Sequence, residues 1–108
     1  MATFSLIFLK TAAIEWRSLD GSVRPQIAKK LEKRLANPHV EADRLDGKLA
    51  GCYRLKFTKI GIRLVYTVID DQVEVLVIAV GKRSAGEVYE IAEQRLQEFK
   101  GNGERPLG

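Results

Sequence analysis

Residues 3–9, TFSLIFL, are dense in β-branched and aromatic side chains, and they predict a first strand at a sheet edge or beside a central strand. From residue 11 the apolar positions fall at helical spacing. In TAAIEWRSL, residues 11–19, Ala12, Glu15, Trp16 and Leu19 share one face, and Asp20-Gly21-Ser22 breaks the pattern. Ser22 is the expected N-cap of a second helix from about Val23 to Ala36, with Val23, Ile27, Leu31 and Leu35 as its core stripe and Asn37-Pro38 as its stop. The two segments predict a helical hairpin.

At Gly51 the period changes to two. Residues 53–59 (YRLKFTK), 62–70 (IRLVYTVID) and 72–80 (QVEVLVIAV) read as strands separated by turns at Gly61 and at Asp70-Asp71-Gln72, an antiparallel meander. The last is apolar almost throughout from Val73 to Val80, which predicts a central strand covered on both faces. Residues 86–99 return to helical spacing, with Val88, Ile91, Ala92, Leu96 and Phe99 as the packed stripe. The expected fold class is α+β: N-terminal strand, helical hairpin, a three-stranded antiparallel meander completing one sheet, and a C-terminal helix. Residues 1–99 are expected to form one domain, and the Gly- and Pro-containing tail 100–108 to be disordered.

Composition narrows the function classes. With 45% hydrophobic residues the chain can bury one core unaided. One Cys and one His supply no disulfide and no zinc or iron site, so chemistry without metal or cofactor, or no chemistry, is expected. The apolar start MATFSLIFLK is too short to span a bilayer and lacks the basic segment and cleavage site of a signal peptide, so a cytoplasmic protein with no membrane partner is expected. Eighteen Lys and Arg against fourteen Asp and Glu give a net charge of +4, which favours nucleic acid or an acidic partner.

The distribution of that charge is more informative than its total. In YRLKFT, Tyr53, Leu55 and Phe57 fall on one face, while Arg54, Lys56 and Thr58 fall on the other. Arg54 and Lys56 leave the same face with Cα atoms roughly 6.5–7 Å apart, a span that can straddle one phosphate. Arg63 follows on the next strand, and no carboxylate nearby in sequence pairs with the three. On the second helix Arg24, Lys29, Lys30, Lys33 and Arg34 outnumber Glu32, either as a solvated face or as a phosphate-binding surface.

In order and spacing, the stretches EWRSLDGSVRPQIAKKLEKRLANPHVEADRLDG, CYRLKF, RLVYTVID, VGKR and EVY resemble the RelE branch of the RelE/ParE toxin superfamily, over nearly the whole chain. The resemblance implies a RelE-like, microbial-ribonuclease-like fold. It also implies a type II toxin that binds the ribosomal A site, at 16S rRNA, and cleaves the mRNA there by attack of a 2′-hydroxyl without a metal. A cognate RelB-like antitoxin is implied as partner, with operator DNA contacted only through the antitoxin. Carried over residue by residue, the family's catalytic set falls on Arg54, Lys56, Arg63, Arg83 and Tyr89. Fixed cations there would stabilise the charge that builds on the phosphoryl and leaving oxygens.

Two positions depart from the family pattern. Better-known members have Lys where this chain has Arg54, and Arg cannot lose a proton, so Arg54 can stabilise charge but cannot be a base. Lys56 is then the expected proton donor to the leaving group. Asp46 stands where a cation is common in the family, which weakens one phosphate contact. The alternative from another class is a non-enzymatic ParE-like toxin that binds DNA gyrase, and a third is a catalytically weak RNA-binding homologue; the ParE branch generally lacks the cationic set. Trp16 is expected in the core, Cys52 as a small buried hydrophobe, and His39 in an exposed loop.

Overall fold

A computed structural model describes residues 3–82, 87–101 and 106–107. Strand β1 (Ser5–Leu9) runs directly into helix α1 (Lys10–Ser18), and helix α2 (Arg24–Ala36) follows. Two single turns of 3-10 helix, Glu41–Asp43 and Gly47–Leu49, lead to strands β2 (Cys52–Phe57), β3 (Ile62–Ile69) and β4 (Glu74–Lys82). Helix α3 (Glu87–Gly101) and a two-residue strand β5 (Pro106–Leu107) complete the chain. The sheet order is β2-β3-β4-β1-β5. The meander is antiparallel as expected, and β1 joins it beside β4 in parallel, with Leu6 opposite Val75 and Phe8 opposite Val77.

The all-apolar segment is a central strand: Val75 through Val80 are buried on both sides. α2 lies on one face of the sheet, where Lys30 stands over the Phe57 ring and Arg34 reaches the Tyr66 hydroxyl. α3 lies on the other, where Tyr89 meets Arg63. Ile27 and Leu31 of α2 and Val88, Ala92 and Leu96 of α3 are the buried stripes, each at the three- or four-residue spacing that keeps one helical face inward.

Several local expectations are revised. Ser22 does not cap α2: its backbone N–H and hydroxyl both donate to the Asp20 carboxylate, which lies in its own turn. Those bonds hold the Asp20 carboxyl below its ordinary pKa. α2 instead starts after Val23 with no side-chain cap, and Pro25 in its first turn supplies the fixed φ that a helix start tolerates. Lys100 and Gly101 continue α3, and Pro106–Leu107 pair antiparallel with Leu9 and Phe8. Cys52 is fully buried, and burial pushes its thiol up to about 11. Trp16 is partly buried against the core, its ring 5.7 Å from Phe8. His39 is exposed yet engaged, with Nδ1 3.0 Å from the Tyr53 hydroxyl and Nε2 2.7 Å from Asp70.

Candidate active site

β2 is an outer strand of the sheet, and its even-numbered residues face away from α2. The antiparallel register sets Lys56 directly opposite Arg63, and Arg54 opposite Val65. Directly opposed residues hold their Cβ atoms about 4.5–5.5 Å apart, and like charges there destabilise a sheet by up to roughly 1 kcal/mol. Among the described residues no carboxylate lies within 4.0 Å of the Lys56 ammonium or the Arg63 guanidinium. The fold thus retains an electrostatically unfavourable pair at the point where the sheet passes from β2 to β3.

Across from Arg63 on its other side stands Gly81 of β4. A Cβ there would come within 3.3 Å of the Val88 side chain, so the glycine lets the first turn of α3 approach the sheet closely. That approach carries Tyr89 onto Arg63: the guanidinium donates to the phenol oxygen at 3.2 Å, and its carbon lies 5.8 Å from the ring centroid. The contact arranges a cation, a phenol and an aromatic face around one point. With its oxygen accepting from Arg63, the Tyr89 O–H donates to no partner among the described residues.

Arg54 has an acid beside it that its own stretch of sequence does not reveal. Asp43, at the end of the first 3-10 turn, places Oδ1 4.0 Å from Arg54 Nε, while its Oδ2 accepts from Arg34 at 2.5 Å. The structure therefore brings Arg54, Lys56, Arg63 and Tyr89 to one face of the sheet. The fifth member of the expected set, Arg83, falls in residues 83–86, outside the described residues.

The second expected set is split. Lys29, Lys30 and Lys33 are exposed along α2, with Lys30 Nζ 5.3 Å from the Phe57 ring centroid, and Arg24 is half-buried. Arg34 is turned inward and is 12% exposed, so it is not on that basic surface. It donates to Tyr66 as well as to Asp43, and the fully buried Tyr66 donates in turn to the Pro38 carbonyl. Burial opposes the Arg34 charge, but the bonds to Tyr66 and Asp43 outweigh it and raise its pKa further. Burial likewise raises the pKa of Tyr66, against the effect of Arg34. Asp46 is exposed, 3.9 Å from Arg44.

Asp43 and Gly81 are site residues that reading the sequence missed. Asp43 is one acid among several in EADRLDG, and a glycine near the end of a strand carries no mark of the helix that will approach it.

Residues 6–85 match the model of the family described as ParE toxin of type II toxin-antitoxin system, parDE. The chain is 48% identical over 96 residues to the mRNA interferase toxin RelE of Escherichia coli, covering 89% of this chain and 99% of the relative. Among solved structures, a double arginine-to-alanine mutant of E. coli toxin RelE in the free state superposes with a TM-score of 0.79 at 45% identity, covering 88% of this chain and 99% of that one. The intact E. coli RelBE toxin-antitoxin complex matches with a TM-score of 0.71 at 47% identity, over 77% of this chain and 99% of that one.

Proposed function

The chain belongs to the RelE branch of the RelE/ParE toxin family, and from that premise we propose that it is the toxin of a type II toxin-antitoxin pair, an mRNA endonuclease that acts on the ribosome. The observation that carries this reading is the unpaired Lys56–Arg63 couple with Tyr89 set on Arg63. A structural sheet face would neutralise opposed cations; an RNA phosphodiester supplies the missing negative charge.

The chemistry runs through in-line displacement. The 2′-oxygen bonds to phosphorus, the P–O5′ bond breaks, and the products are a 2′,3′-cyclic phosphate and a 5′-hydroxyl. The 2′-proton leaves and one proton reaches O5′, so the step is balanced without an external reactant. Arg54 and Arg63 stabilise charge on the phosphoryl oxygens, Lys56 donates to the leaving oxygen, and Tyr89 stacks on a base or shares the nucleophile's proton. Arg83 is assigned to the same phosphate from the family pattern. Lacking a dedicated base, the site depends on the ribosome to align the message, which accounts for action in the A site against 16S rRNA. No metal enters this scheme.

Lys29, Lys30 and Lys33 of α2 are assigned to ribosomal phosphates. A RelB-like antitoxin is the expected protein partner, and operator DNA is reached through it. The ribosomal substrate places the protein in the cytoplasm. Among the described residues no helix is long and apolar enough to cross a membrane. The family model over residues 6–85 is that of ParE, so a non-enzymatic, gyrase-binding toxin is the second reading; Tyr89 lies beyond the stretch that model matches.

The test is cleavage by the purified protein of mRNA on ribosomes stalled with an open A site, compared with the same RNA free in solution. Cuts confined to the A site of ribosome-bound message are expected, with 2′,3′-cyclic phosphate ends. Equal cleavage of free RNA would remove the ribosomal part of the proposal. Intact message together with inhibited gyrase supercoiling would favour the second reading.

A further inference from the structure

Arg54 is held in an unusual way. Among the described residues its buried Nε has no hydrogen-bond partner, and the nearest acidic oxygen is Asp43 Oδ1 at 4.0 Å. That carboxylate is itself fixed from behind. Arg34 donates to its other oxygen, and Arg34 is locked by the Tyr66 hydroxyl, which is bonded to the Pro38 carbonyl. The backbone is pinned as well: Asp43 N–H donates to the Val40 carbonyl, Arg44 bridges to Tyr53, and Leu45 N–H donates to the Cys52 carbonyl along the outer edge of β2.

We propose that Asp43 is a positioning residue for Arg54, holding the Nε edge of its guanidinium so that the terminal nitrogens stay directed at the scissile phosphate; this rests on the nuclease reading above. A guanidinium offers five donors in a planar fork, so one edge can be held while another engages an anion. An ammonium has a single nitrogen and cannot divide itself in this way. Arg at position 54, where better-known members of the family have Lys, and an acid at position 43 are therefore two parts of one device. One carboxylate shared by Arg34 and Arg54 leaves the group net positive, so Asp43 orients the cation without cancelling the attraction for phosphate. A carboxylate that served Arg34 alone would leave Arg54 indifferent to it.

The experiment is a double-mutant cycle between Asp43→Asn and Arg54→Lys, read by single-turnover cleavage on saturating ribosomes. Asn keeps one oxygen, which the Arg34 bond claims, and turns its NH2 toward Arg54 Nε, so the substitution cuts the second contact selectively. Asp43→Asn is expected to slow cleavage about tenfold without changing the half-saturating ribosome concentration, and to change nothing in the Arg54→Lys background. Equal losses in both backgrounds, or none in the Arg54 background, would overturn the proposal. The second readout is solvent exchange of the Arg54 Nε–H proton by NMR in the free protein. It is expected to be severalfold faster in Asp43→Asn, and equal exchange in parent and variant would overturn the anchor whatever the activity. A parent that cleaves nothing counts against the nuclease reading alone, and the exchange measurement then decides the anchor. If Asp43→Asn fails to fold, Asp43→Glu keeps the charge on Arg34 and displaces the carboxylate by one methylene, and the same two readouts apply.

Discussion

Arg95 of α3 and Glu15 of α1 form a two-pronged ion pair, with N···O distances of 2.7 and 3.1 Å, at the level where β1 gives way to α1. Beyond Phe8 opposite Val77, β4 has no further β1 residue in register. There the pair takes over from the strand: Arg95 donates to the Ile78 carbonyl and Glu15 accepts from the Val80 N–H. Two side chains thus satisfy backbone groups of the central strand and fasten α1 and α3 to it.

Arg95→Ala is expected to lower unfolding stability by about 1–3 kcal/mol, because it strands a largely buried carboxylate and a strand carbonyl. Arg95→Met and Glu15→Gln made together should cost less than the sum of those same two changes made singly. Urea unfolding of the four proteins checks this, and strict additivity would mean that the two side chains act independently.

Arg63→Ala and Lys56→Ala are each expected to reduce single-turnover cleavage by about a hundredfold or more, since a fixed cation at a developing charge contributes roughly 3 kcal/mol. Neither should lower the melting temperature much, because each relieves the like-charge opposition between β2 and β3, which in Arg63→Ala offsets the lost contact with Tyr89. Arg83→Ala is expected to match them in rate. Parental cleavage and growth inhibition in both Lys56→Ala and Arg83→Ala would remove the catalytic assignment.

The basic helix separates affinity from stability. Lys29, Lys30 and Lys33 changed together to Ala should weaken ribosome binding and lower the salt dependence, each lost phosphate contact reducing the log–log slope by somewhat under one unit. Arg34→Ala should instead lower stability by about 1–3 kcal/mol, since it leaves Tyr66 and Asp43 without their partner. An unchanged salt slope in the triple variant would make the helix face merely solvated.

Val73 sits in the turn between β3 and β4 with φ 56°, a left-handed conformation in which a β-branched side chain is strained, and its side chain is exposed. Val73→Asn or Val73→Gly is therefore expected to raise stability by about 1 kcal/mol. Thermal unfolding reads the change directly.

Cys52 gives an alkaline signature. Its folded pKa, about 11, lies above the ordinary thiol value of 9.0. Between those values the folded state keeps a proton that the unfolded state releases, so unfolding free energy falls as pH rises through this window. The contribution is complete below pH 9 and gone above about 11. Tyr66, also raised by burial, acts in the same direction from its ordinary value of 10.0 upward. Cys52→Ala should flatten the decline measured by urea titration at stepped pH.

Sequence periodicity by itself determined the elements and their inward faces. The alternation of Tyr53, Leu55 and Phe57 against Arg54 and Lys56, the all-apolar run through Val80, and the stripe from Val88 to Leu96 depend on neighbours two to four positions away, and the chain's local geometry fixes those relations. The cations of the candidate site were legible for the same reason, and the roles proposed for them came from the resemblance of the surrounding stretches to a family. Only the tertiary structure decided which of these groups meet. The parallel pairing of β1 with β4, the inward turn of Arg34 onto Tyr66, the carboxylate of Asp43 beside Arg54, and the clasp of Glu15 by Arg95 join residues 11 to 80 positions apart. Arg34 comes seven residues after Ile27 and three after Leu31, so the helical period already turns it toward the inward face, unlike the exposed Lys33 beside it. What the period does not encode is its partners, a buried phenol and an acid from a distant turn, which let a cation stay on that face.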